Sequence, residues 1–183
     1  MNKTLAIIGL ACGVIVLTGF FSPWLELHSR SYRLGEERVR DHLKVTGWNL
    51  VQGRLEVIQE VESLGRLRWK DYVTTEIQVE SKSYPYLDLA GAILLILGGI
   101  GALTSKRKAP YLIVISGGVL AFVGGFLGFW INRWITPRAI IIENYTVFGY
   151  YRYGLFLCTI GSLVSIAGCI LEWDPGLWKE QRL

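Results

Sequence analysis

Residues 110–131 read PYLIVISGGVLAFVGGFLGFWI, a run without a single charge. At about 1.5 Å of rise per residue, a helix of that length crosses the roughly 30 Å hydrocarbon core of a bilayer. Its apolar residues cover the whole circumference, whereas a surface helix of a soluble protein carries a polar stripe at a period of about 3.6 residues. Three more runs share this character: residues 4–21, 87–104 and 154–171. None contains Lys or Arg, and the one acid inside them is Asp88, beside the start of its run. The expected fold class is membrane all-α: a left-handed four-helix transmembrane bundle with a small external antiparallel β-sheet built from both external loops.

Composition points the same way. The 183 residues are 51% hydrophobic and 19% charged, too apolar for a disordered or nucleic-acid-wrapping chain despite a net charge of +4. Ten basic and ten acidic residues fall between Leu25 and Tyr84, which leaves the rest of the chain sparsely charged. The layout expected is a first transmembrane helix in 1–24 and an external β-rich domain in 25–84. A transmembrane hairpin with a short basic turn at 105–110 follows in 85–131. A second external loop in 132–152, a fourth helix in 153–172 and a cytoplasmic tail in 173–183 complete it. The first run is read as retained, because Phe20-Phe21-Ser22-Pro23-Trp24 offers no small-x-small cleavage site. Lys106, Arg107 and Lys108 crowd the short turn without an acid, and Lys3, Lys179 and Arg182 lie at the ends. Basic residues in short loops stay inside, so the reading is a cell-membrane protein with both termini cytoplasmic and the large loop external. Aromatic belts agree, with Trp24, Tyr84, Tyr86, Trp130 and Trp134 outside and Tyr111, Trp173 and Trp178 inside.

Small residues recur at a spacing of three and four within each run. They include Gly9 and Gly13, then Gly91 and Gly98, then Gly117, Gly124 and Gly128, and finally Gly154, Gly161 and Gly168. A repeat averaging 3.5 residues places each set on one seam of a closely approached, left-handed bundle. Gly9-x3-Gly13 and Gly124-x3-Gly128 also suit a dimer face. Such a seam leaves no polar path. Asp88 lies in the first turn of its helix, where a carboxylate caps free amides and meets the positive end of the dipole. Cys12, Cys158 and Cys169 all lie inside spans, as small packing residues. His28 and His42 stand fourteen residues apart with no recognised ligand spacing. No cofactor, metal or enzyme motif is read, and a catalytic alternative would need acid–base groups converging near His28, His42 and Asp41.

The loop itself reads as folded. Strands are expected at 72–81 and at 43–51 around Gly47-Trp48; in 55–64, Leu55, Val57 and Val61 suit a strand while Leu55, Ile58, Val61 and Leu64 suit a helix, and the strand is favoured, with a turn at 63–65 leading to 66–69. Residues 138–148 supply one further strand to the same sheet. Asn144-Tyr145-Thr146 is a glycosylation acceptor pattern.

The layout resembles the claudin and peripheral-myelin-protein superfamily. Pro23-Trp24 stands where that family has a tryptophan just outside the membrane, and Thr46-Gly47-Trp48-Asn49-Leu50 lies near its Gly-Leu-Trp motif. Trp24, Gly47 and Trp48 are thereby marked as structural residues of the external domain. The resemblance implies four helices, both ends inside, and a sheet drawing several strands from the first loop and one from the second. It departs in lacking the family's loop cysteine pair and in holding Asp88 where an arginine is usual. The function expected is non-enzymatic: a multi-pass protein working through contacts with the lipid bilayer and with other membrane proteins or itself, and not with nucleic acid. It would serve as an accessory or scaffold subunit of a membrane complex, or as a self-associating adhesion or barrier protein. An oligomeric transporter, channel or sensor component is the alternative.

Overall fold

A computed structural model describes residues 3–29, 32–34, 37–63, 70–78, 81–104, 109–133, 140–142 and 145–171. The chain begins with helix α1 (Lys3–Phe21) and strands β1 (Pro23–Ser29), β2 (Tyr32–Leu34) and β3 (Glu37–Thr46). Helix α2 (Gly47–Gln52) and strands β4 (Arg54–Ser63) and β5 (Lys70–Gln78) follow. Then come α3 (Pro85–Thr104), α4 (Ala109–Arg133), β6 (Ile140–Ile142), β7 (Tyr145–Tyr151) and α5 (Tyr153–Leu171). The four apolar runs are thus helices α1, α3, α4 and α5, each long and apolar enough to cross a membrane.

These helices close a ring in which α1 and α4 each lie between α3 and α5. Glycine makes the approach possible. A Cβ on Gly91 would stand 2.6 Å from the Gly117 carbonyl oxygen, and one on Gly9 would stand 2.8 Å from the Gly99 Cα. Gly13 meets Ile96, Gly98 meets Val114, Gly128 meets Leu155 and Gly161 meets Val16, while Gly168 rests on Ile8 and Gly154 on the backbone of Ser22 and Pro23. The Gly9/Gly13 and Gly124/Gly128 pairs therefore pack inside the chain. The small residues form two seams per helix where one was expected, because a helix in a ring has two neighbours. On α4, Gly117 and Gly124 face α3 and Gly128 meets Leu155 and Trp24, while Gly118 and Gly125 face Ser165 and Thr159 of α5. The outward faces carry large apolar side chains such as Ile7, Leu97, Phe126, Trp130 and Leu163, all exposed.

The two segments between α1 and α3 and between α4 and α5 feed one antiparallel sheet in the order β5-β4-β3-β1-β7-β6, with β2 also on β3. Strand β1 joins the two loops: its Leu27 pairs with Leu43 of β3 on one side and Gly149 of β7 on the other. Two expectations need correction. Residues 43–51 are not a continuous strand, because β3 ends at Thr46 and α2 begins at Gly47. The Thr46 hydroxyl accepts the Asn49 backbone N–H at 3.0 Å, the Asn49 side chain accepts from the Thr46 N–H, and Gly53 ends the helix at φ 66°. Residues 138–148 hold two strands, β6 and β7, paired with each other from Ile140↔Val147 to Ile142↔Tyr145. The strand expected at 66–69, residues 64–65 of its turn, Asn144, residues 105–108 of the basic turn and the tail 173–183 lie outside the described residues.

Candidate functional site

Side chains of a strand alternate between the faces of its sheet, so register decides which charges meet. Arg38, Arg40, His42 and Lys44 of β3 stand on one face, directly opposite Glu62, Glu60, Ile58 and Glu56 of β4. Next along are Lys70, Tyr72, Thr74 and Glu76 of β5. A basic column, a mostly acidic column and a mixed one therefore lie side by side: unlike charges attract between β3 and β4, while Glu56 and Glu76 meet as like charges between β4 and β5. Glu60 is the hub. Lys70 Nζ donates to its Oε1 at 2.7 Å, and His42 Nε2 lies 3.6 Å from its Oε2. The hydrogen bond and charge of Lys70 hold the Glu60 carboxyl below its ordinary pKa, and Glu60 in turn raises that of Lys70. Nearer the bundle, Arg152 pairs with Glu26. The depression between Arg38, Arg40, Glu60 and Glu62 encloses about 10 Å³, room for about one water.

The other face is mostly apolar, with Asp41, Gln59 and Asp71 among its valines and leucines. Val39 and Val45 are buried, and Leu25, Leu43, Val45 and Leu55 close against Leu50 of α2. Apolarity continues outward to Val73 on β5, which is 46% exposed. Strand β5 ends the sheet: residues 70–76 are exposed, Tyr72 by 62%, and among the described residues nothing pairs with its outer edge.

Where the sheet meets the bundle, Trp24 and Gly47 are brought together. Trp24 is fully buried and its indole N–H donates to the Gly19 carbonyl at 3.0 Å. A Cβ on Gly47 would sit 2.7 Å from a Phe20 ring carbon and 2.8 Å from a Trp24 ring carbon, so glycine is required for the close approach. Trp48 leans on Phe20 and Phe21 with ring centroids at 6.4 and 6.0 Å, half-exposed at the bundle rim. These residues knit sheet to helices.

Asp88 does not cap its helix. It lies on the same inward stripe of α3 as Gly91 and Leu95, both carboxylate oxygens are buried, and neither has a hydrogen-bond partner. The carboxylate fills the space beside Gly124, where a Cβ would collide with it. The Cys158 thiol, across the bundle on α5, lies beside this carboxylate and donates to the Val16 carbonyl at 3.5 Å. Of the acid–base cluster considered, His28 and His42 are register partners across β1 and β3, but Asp41, adjacent to His42, lies on the opposite face of β3, so the three do not converge. Among the described residues, no three His, Cys, Asp or Glu side chains group as metal ligands. The charged columns went unread at the sequence level, although Arg38-x-Arg40-x-His42-x-Lys44 carries the period of two that reveals one of them. Neither a protein-family model nor a curated protein sequence matches the chain.

Proposed function

We propose that this is a non-enzymatic multi-pass membrane protein that acts through protein contacts, and that its external sheet is the surface that makes them. On this reading the bundle is inserted in a cell membrane as a left-handed four-helix unit. Both termini are cytoplasmic, and the sheet stands outside. One observation carries it: the helices meet backbone to backbone, as at Gly91 and Gly117, while the described charge is concentrated on the sheet, whose strand β5 has no strand on its outer side among the described residues. Large apolar side chains on the outward helix faces suit lipid, whereas close helix–helix docking in membranes uses small residues. The claudin-like reading gains support from the layout, in which one sheet takes strands from both loops and Trp24 sits at its base.

Asp88 favours a second reading, a transporter or channel component, because buried intramembrane acids commonly mark ion pathways. Native mass spectrometry from mild detergent, paired with ion flux in proteoliposomes, separates the two. Bound protein companions or self-association without flux supports the contact reading. Flux that vanishes in Asp88→Asn refutes it.

A further inference from the structure

We infer that Asp88 holds a proton in the closed bundle and donates it to the Cys158 sulfur, so that one buried acid locks the end of the bundle on which the sheet is seated. This goes beyond the contact reading and holds whichever way the sheet is used.

Asp88 is fully buried, and neither of its oxygens accepts a hydrogen bond. An ionised carboxylate there would be an unpaired charge in apolar surroundings, which costs more than keeping a proton. The elements packed on α3 offer no compensating charge. From α4 the backbone of Gly124 closes on the carboxyl, and α2 has no titratable side chain. On α1, Gly13 meets Ile96, about two turns along α3 from Asp88, so Cys12 beside it is remote. From α5 comes Cys158, and among the described residues no lysine, arginine or histidine stands beside the acid. A metal ion does not fit either, because even a Cβ on Gly124 would overlap the carboxyl oxygen.

The direction of the thiol's own bond decides the arrangement. Cys158 donates to the Val16 carbonyl, so its hydrogen is committed and its sulfur can only accept from Asp88. With the proton on Asp88 the groups form a chain. The carboxyl O–H donates to Cys158 Sγ, and the Cys158 S–H donates to the Val16 carbonyl oxygen. That chain ties α3 to α5 and α5 to α1. Without the proton, a negative oxygen faces the lone pairs of sulfur.

Asp88 also lies one turn beyond Tyr84, whose ring leans on Trp24 with centroids 6.3 Å apart. Trp24 is the fully buried residue at the base of the sheet. Loss of the proton would draw water to this end of the bundle, part α3 from α4 at Gly124 and loosen the seat of the sheet.

Infrared spectroscopy of the full chain in detergent at neutral pH reads the proton directly. The carbonyl band of a protonated carboxyl should be present, should shift when aspartate carboxyls carry carbon-13, and should vanish in Asp88→Asn. Asparagine keeps the shape and an N–H donor for the sulfur. Unfolding releases the proton to water. The folding constant of the wild type should therefore fall, relative to Asp88→Asn, by up to about tenfold per pH unit above the ordinary carboxylate range. Amide protection in α2 and the first turns of α3 should decline over the same range in the wild type alone. No acid band, a band that survives in Asp88→Asn, or parallel pH profiles for the two proteins overturns the inference. If Asp88→Asn does not fold, the isotope-shifted band must persist in Asp41→Asn, Asp71→Asn and Asp174→Asn, which change the other three aspartates. Its loss in any of these overturns the inference equally.

Discussion

Substituting Gly91 by alanine probes the packing on which the bundle depends. The new methyl would lie 2.6 Å from both the Gly117 carbonyl oxygen and the Ala121 amide nitrogen, and 2.7 Å from the Ala121 Cβ. Two of these atoms belong to the α4 backbone and cannot swing aside as a flexible side chain would. Relief requires α3 and α4 to part by most of an ångström, and that opens voids at Leu95, Val114 and Ala121, all now fully buried. Overpacking of this kind costs about 1–3 kcal/mol, against which alanine recovers up to about 1 kcal/mol of helix propensity. The expected net is about 1–2 kcal/mol of destabilisation. Gly101→Ala supplies the contrast, since a Cβ there meets only Pro110 at 3.5 Å, an ordinary contact. It should stabilise by up to about 1 kcal/mol. Denaturant titration in detergent, followed by tryptophan fluorescence, measures both. Equal effects, or a Gly91→Ala protein as stable as the parent, would refute the close approach of α3 and α4.

Three further outcomes are expected. Trp24→Ala removes a fully buried indole and its bond to Gly19, so the same titration should show a loss of about 3–5 kcal/mol. Gly53→Ala forces a side chain onto φ 66° and should lower the melting point by the equivalent of about 1 kcal/mol, with Gly53→Asn milder. The Glu60–Lys70 pair sets a pH window. Glu60's lowered pKa gives stability above the usual carboxylate range that is lost as pH falls through the folded value. The raised pKa of Lys70 gives stability below the usual lysine range that is lost as pH rises through its folded value. Amide exchange protection in β4 and β5 should therefore be greatest between these limits, and Glu60→Gln should flatten the profile at both ends.

The four helices were legible because apolarity around a whole circumference needs no knowledge of neighbours. Their seams were legible by halves: Gly117 and Gly124 announce one stripe, but only the closed ring explains why Gly118 and Gly125 form another. Helix α2 was hidden in strand-favouring residues, Trp48 and Val51. The deciding feature is the exchange between Thr46 and Asn49, an asparagine where a capping box usually has Glu or Gln. Asp88 was misread because the dipole argument considers distance along the helix and ignores its face; four residues into α3, it lies on the buried stripe. The charged columns of β3 and β4 alternate visibly, yet no local pattern states that Arg40 stands opposite Glu60. Register belongs to the turn and the buried face together.

The central claim is that contacts run through the sheet and not through the helices. Native mass spectrometry of the membrane-extracted protein, comparing Glu76→Lys on β5 with Leu163→Ala on the outward face of α5, tests it most directly. The account predicts that companions, whether second copies or other proteins, are lost from Glu76→Lys and kept by Leu163→Ala. Companions kept by the sheet variant and lost from the helix variant would contradict it.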